Sequence, residues 1–265
     1  MLKKLLKYEI KATARGFLPL YLAVLIFGFI NRFLNPFKTV ETSSSFSIQT
    51  ILSMFSMFLY FALIFGIIVM TFVIMIQRFY KNLLGDEGYL MFTLPVKPWQ
   101  HIISKLLVSM LWIILSFLTV ICSITIIANI NNFFGEISNI INIIRNQIGN
   151  AGLILILIYP LVAITYSIIT IYDSIALGHL FSKHKLLASF GAYIMLYTIS
   201  QIVSGVFMLL YASTNFNLFT NPAAAAPTPA QITIFAVFFI CLFILLAAGN
   251  FILTNLILKK KLNLE

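Results

Sequence analysis

A chain of 265 residues with 61% hydrophobic and 9% charged residues, at a mean hydropathy of +1.05, carries more apolar surface than a water-soluble fold can bury. Soluble domains hold roughly 25% charged residues, so lipid is the expected solvent. The formal charge of +10 would suit a nucleic-acid binder, but the placement of the basic residues accounts for it without one, and no nucleic-acid partner is expected. Cys122 and Cys241 fall in apolar runs and offer neither a disulfide framework nor metal-ligand spacing.

Taken in chain order, residues 2–15 read as an amphipathic helix. At ~100° per residue, Leu2, Leu5, Leu6, Ile10 and Thr13 cluster on one side, opposite Lys3, Lys4, Lys7, Lys11 and Arg15. Glu9 is the misfit, because it points toward the apolar side. Such a helix lies at the membrane interface with its five cations on anionic lipid. It serves either as a simple positive-inside anchor or as an elbow that sets the bundle against a cytoplasmic partner. A basic stretch followed by an apolar one also resembles a signal peptide, but no small-x-small cleavage site follows before Asn31-Arg32-Phe33, so an uncleaved first span is expected.

Charge-free windows at 17–31, 42–77, 106–135, 146–172 and 186–258 locate the spans. A membrane-crossing helix needs about 20 mostly apolar residues. The last window is long enough for two helices, divided at 211–231 by Asn, Pro, Thr and an Ala run. Six spans are predicted, near 17–34, 51–77, 106–128, 151–172, 188–211 and 232–257, in one all-α transmembrane domain covering 1–265. With the N-terminus inside, fourteen Lys and Arg residues fall on inner segments and three outside, namely Arg32, Lys38 and Arg145. That bias predicts a multi-pass protein of the cell membrane with both termini in the cytoplasm.

The inner segment 78–105 reads RFYKNLLGDEGYLMFTLPVKPWQHIISK. Gly85 can end the preceding helix, and Asp86 can cap a short new one with Glu87 in its first turn. Pro95 stops that helix, since proline lacks the amide donor. Pro98 then suits the first position of the next. The Tyr, Leu, Met and Phe between them need cover, either from the membrane surface or from another protein. Pro160 predicts a kink in the fourth span. A second, shorter inner elbow follows at 172–185, with His179 and His184 read as interfacial polar groups. Outside, residues 137–148 repeat Ile with Asn, Arg and Gln at rough helical spacing and are expected on the outer surface.

Catalytic motifs are missing from the sequence. None of the twelve glycines precedes a lysine, so there is no G-x-x-x-x-G-K-[ST] phosphate loop, and neither H-E-x-x-H nor G-x-S-x-G occurs. The chain is therefore expected to have no catalytic site, metal or cofactor of its own. The deepest polar groups expected are Asn129, Tyr159, Tyr166, Gln201 and Asn250, with Asp173 at a span's inner edge. Ion-coupled carriers generally hold charged groups inside the membrane, so the energy source is expected in another chain. Ser200-x-x-x-Ser204 and Ala188-x-x-x-Ala192 fit a small-xxx-small contact pattern on the fifth span.

The stretch Asp86-Glu87-Gly88-Tyr89-Leu90-Met91-Phe92-Thr93-Leu94-Pro95-Val96 resembles the E-x-Y-L-(x)n-L-P-V loop of bacterial ABC-2 type transporter permeases. Leu5-Leu6-Lys7-Tyr8-Glu9-Ile10-Lys11 and the elbow Ser174-Ile-Ala-Leu-Gly178-His179 are similar to the same group. The resemblance implies an N-terminal interfacial helix, six spans, and a cytoplasmic coupling helix between spans two and three that docks on a separate ATPase subunit. Carried over, that helix is 86–94, with Asp86, Glu87, Gly88, Tyr89, Leu90, Phe92, Leu94, Pro95 and, from the elbow, His179 toward the ATPase. ATP and magnesium would be held by that partner, and a second permease chain, a copy or a relative, would complete the exporter. The transported molecule would be an amphipathic peptide, a drug or a lipid-like compound. One departure is that Asn221-Pro222 and Pro227-Thr228-Pro229 leave little room for the short helices that family members often place between spans five and six. Two other readings are a non-transport immunity or assembly factor and an ion-coupled carrier.

Overall fold

A computed structural model describes residues 2–34, 48–85, 88, 96–128, 133–181, 183–214 and 228–260. Every regular element among them is a helix: α1 (Leu2–Leu34), α2 (Ile48–Phe79), α3 (Pro98–Ala128), α4 (Phe133–Gly178), α5 (Lys185–Thr214) and α6 (Pro229–Lys260). Each is long and apolar enough to cross a membrane, so the chain is an all-α, multi-pass membrane protein. The outward faces carry large apolar side chains, such as Phe58 and Phe65 on α2, Leu157 on α4 and Leu245 on α6, all exposed. In lipid this is the stable arrangement, because the solvent is as apolar as the side chains and intrahelical bonds satisfy the backbone. Cys122 and Cys241 are exposed in the same way.

The chain packs as two units. The first holds α1, α2 as far as Arg78, and α3 from Gln100. Burial on α1 falls on Glu9, Thr13, Phe17, Tyr21, Val24, Gly28 and Asn31, a stripe spaced three and four residues apart, which is one helix face. It meets a matching stripe on α3 of Lys105, Val108, Trp112, Ser116 and Ser123. The pairing rises in step along both helices, so they run parallel. Trp112 Nε1 donates to Thr13 Oγ1 at 2.7 Å, Tyr21 Oη lies 2.7 Å from Ser116 Oγ, and Gly28 packs on Ser123. α2 runs antiparallel to both, with Tyr60 Oη 2.7 Å from Ser123 Oγ and Asn31 Nδ2 donating to the Ser56 carbonyl. Phe17 stacks on Trp112 at 4.4 Å in the core. With no hydrophobic drive between helices in lipid, such small residues and interhelical hydrogen bonds hold the bundle.

The second unit holds the end of α2 from Phe79, α4 from Gly135, α5 and α6. On α6, Ile240, Ala247 and Thr254 are buried at intervals of seven, one face again. α6 runs parallel to α4 through Tyr166–Phe243, Thr170–Asn250 and Asp173–Thr254. It runs antiparallel to α5 through Phe207–Phe238 and Tyr211–Phe235. Residues 133–148 are helical, as their spacing predicts, and are set off from the span by Gly149 at φ 74°, ψ 176°, a conformation that side chains with a Cβ avoid.

The helices extend past the predicted spans, most of all at the start of α1, the start of α3 and the start of α4. Amphipathic residues 2–15 and the first span form one continuous helix rather than an elbow joined to a span, and Pro19 is accommodated inside it. α3 begins at Pro98, as its sequence requires. α2 closes with a π turn, Tyr80–Leu84, which Gly85 ends by donating its N–H to the Tyr80 carbonyl at 2.9 Å.

Candidate functional site

Polar chemistry gathers in two places, one in each unit. In the first, Lys3, Lys4, Lys7, Lys11 and Arg15 are exposed along the outer face of α1. The opposite face of that helix is not left to lipid alone, since Leu6 and Ile10 pack against the core of the unit. The misfit in the sequence pattern, Glu9, is 7% exposed. Its carboxylate accepts a bond from Lys105 Nζ at 2.8 Å and lies 4.0 Å from the Arg78 guanidinium. One acid thus ties the start of α1 to the end of α2 and the start of α3. Lys105 is 3% exposed, and His101 one turn before it is buried as well. A cavity of about 20 Å³, lined by Glu9, Thr13, Thr71, Arg78, Lys105 and Ser109, adjoins the pair; that is room for one water. At the far end of the unit, a groove of about 400 Å³ is lined by Phe27, Ile30, Phe33, Leu52, Phe55 and Leu59, with Ser56 its one polar residue among those described.

In the second unit, the C-terminal turns of α4 form its most buried stretch, residues 168–170 and 172–176. The stem of the 78–105 segment packs here: Phe79 stacks on Tyr172 at 4.1 Å and 7°, and Tyr80 meets the His179 ring edge to face at 5.1 Å. Of the residues assigned to ATPase docking, the structure thus brings His179 to the base of the same segment. Gly88 is buried and donates its N–H to the Gly85 carbonyl at 2.8 Å. Asp86, Glu87, Tyr89, Leu90, Phe92, Leu94 and Pro95 lie outside the described residues, as do Asn221-Pro222 and Pro227. Burial pushes the His179 imidazole below its ordinary value, and the Lys185 charge adds to this against the bond to Ile175. The Ile175 carbonyl can only accept, so in that 3.3 Å contact Nδ1 carries the proton.

Gly178 closes the elbow. A Cβ there would sit 2.5 Å from the Ser189 backbone nitrogen and 2.6 Å from its Cα, and helix backbone cannot yield as a flexible side chain does. Gly178→Ala is expected to push the start of α5 off α4 at a cost of about 1–3 kcal/mol or more. The check is the thermal midpoint in lipid nanodiscs, and a midpoint unchanged from wild type would contradict the close approach.

Sequence reasoning placed Asp173 at the edge of a span and missed its burial. The helix runs on to Gly178 past the predicted end of the fourth span, and Asp173 is fully buried. Its Oδ1 accepts from Thr254 Oγ1 at 3.2 Å, beside Asn250, which donates to Thr170 Oγ1 at 3.0 Å. Three charged groups outside the charge-free windows, Asp173, Glu9 and Lys105, are thus buried in the helical packing. The signal that could have found Asp173 is its interval of three from Thr170, with Asn250 and Thr254 at an interval of four.

Six apolar spans with buried polar contacts between them define a polytopic helical membrane protein. No family model matches the chain, and neither a curated protein nor a solved structure matches it.

Proposed function

We propose that the chain is the permease subunit of an ATP-driven exporter of the cell membrane, with both termini in the cytoplasm and the ATPase in a partner chain. The observation that carries this reading is the segment between α2 and α3. Its sequence over 86–96 resembles the coupling loop of ABC-2 type permeases, and its stem is seated by Phe79 and Tyr80 on Tyr172 and His179 of the second elbow. A push on that loop would reach α4 through stacked, buried rings rather than through a slack linker. The basic face of α1 suits an anionic inner leaflet. The charge-free apolar groove lined by Phe27 and Phe55 suits a lipid-like or amphipathic substrate. A second permease chain would complete the path.

Co-purification with an ATPase encoded beside this gene tests the reading. The wild type is expected to hold the ATPase and stimulate its hydrolysis. Tyr89→Asp with Phe92→Asp is expected to lose the complex and reduce stimulated hydrolysis at least about tenfold, the equivalent of ~1.4 kcal/mol of docking. A complex that survives both substitutions removes the docking role. One observation favours a second reading, an ion-coupled carrier: Asp173 is a carboxyl buried where such carriers keep their coupling groups. Transport into liposomes driven by an ion gradient without ATP would select it.

A further inference from the structure

We propose that Asp173 is a proton-binding site, protonated when α4 and α6 are packed as they are here and opened to deprotonation when they part. The proposal stands on four features of the second unit. The Asp173 side chain is fully buried, and its Oδ2 has no hydrogen-bond partner among the described residues. Among the described residues its Oδ1 has one donor, the neutral Thr254 Oγ1, whose hydroxyl is shared with the Asn250 carbonyl at 2.8 Å. The flanking groups Thr170 and Ser174 are neutral and satisfied on their own helix, bonding the Tyr166 and Ile171 carbonyls. Along the chain, the titratable groups nearest to it on the elements around it are Tyr166, Tyr172 and His179 on its own helix and elbow, Tyr80 and Lys81 in the π turn, Lys183, His184 and Lys185 leading into α5, and Lys259 on α6. Among the described residues none of these pairs with Asp173.

A carboxylate ion in such a place lacks both a counter-charge and the two or three donors that normally stabilise it. Its effective burial penalty is large, whereas the neutral acid avoids most of it. Glu9 in the first unit shows the contrast: also buried, it has Lys105 at 2.8 Å and Arg78 at 4.0 Å to answer its charge. Because Thr254 and Asn250 lie on α6 and Asp173 on α4, any movement that separates the two helices wets the carboxyl and releases its proton, and re-packing takes it back. Such a site links proton exchange to the conformational cycle. It holds whichever energy source drives that cycle, since it rests on the packing of one unit and not on the docking of an ATPase.

The sign follows from linkage. A carboxyl kept neutral in the fold but free to ionise when exposed leaves the folded state holding more protons, so stability falls as pH rises above the ordinary carboxylate range. The full chain in lipid nanodiscs is melted across a series from about pH 5 to about pH 8, for wild type and Asp173→Asn, which keeps the shape without the charge. The wild-type midpoint is expected to fall by roughly 3 °C or more relative to Asp173→Asn over that range. Equal slopes overturn the proposal. Infrared difference spectra of the wild type provide a second readout that needs no folded variant. A protonated-carboxyl band near neutral pH, lost at high pH, supports the site, and its absence at every pH overturns it. Stabilisation of the wild type by sodium chloride at high pH, beyond that given by potassium chloride and absent in Asp173→Asn, would overturn the proton in favour of a metal cation.

Discussion

Lys105→Met is expected to destabilise the protein by about 3–5 kcal/mol, because it takes the nearest cation from the buried Glu9 carboxylate and leaves Arg78, 4.0 Å away, to answer it. Glu9→Gln is expected to be costly in the same way, leaving the Lys105 ammonium, 3% exposed, without its anion. The double variant should recover much of the loss, because two neutral side chains of similar length no longer need each other. A double-mutant cycle on thermal midpoints in nanodiscs should therefore show a coupling of roughly 2 kcal/mol. Strictly additive losses would mean that the pair contributes nothing beyond its separate packing. The consequence extends beyond stability. Glu9 joins α1, α2 and α3 at one end, so its loss loosens the start of α1 against the two helices that flank residues 80–97. In the exporter reading, that variant should hold its partner ATPase yet transport less per ATP hydrolysed.

Phe79→Ala is the second large effect. Phe79 is fully buried and lies flat on Tyr172, and removing a buried aromatic ring costs about 3–5 kcal/mol. Phe79→Leu keeps most of the volume and loses chiefly the ring contact, worth about 0.5–1.5 kcal/mol. The two variants therefore separate packing from stacking when their melting midpoints are compared. If the stem of the 78–105 segment carries force to α4, the leucine variant should lower transport more than its modest destabilisation explains, with ATPase binding unchanged. Equal melting for alanine and wild type would show that the stack does not hold this part of the fold.

The contrast between Glu9 and Asp173 is instructive. Both are acids on helices that span the membrane, and both are buried. Glu9 has cations from two other helices, Arg78 and Lys105, whereas Asp173 has a hydroxyl. Environment separates the roles of two chemically similar groups, one an ionic tie and the other a neutral acid poised to ionise.

Much of this was legible in the chain itself. Hydropathy located six spans because a membrane helix must be apolar over about 20 residues whatever its neighbours. Pro98 and Gly85 marked helix ends because their limits are local, a missing donor in one and conformational freedom in the other. The amphipathic period of residues 2–15 put five cations on one face, and even the misfit at Glu9 was visible as an exception to that period. What the exception was for could not be read, because Glu9 meets Arg78 and Lys105 some 69 and 96 positions further on. The same holds for the pairing of Asp173 with Thr254, 81 residues away. Charge-free windows measure where charge is absent along the chain, whereas burial depends on which helix lies opposite, and α4 continues to Gly178 before it stops. Sequence alone determined that this is a helical membrane protein and where its spans run. Tertiary packing alone decided which of its few charges lie inside and what each one faces, since a helix face specifies that a residue is covered but not by what.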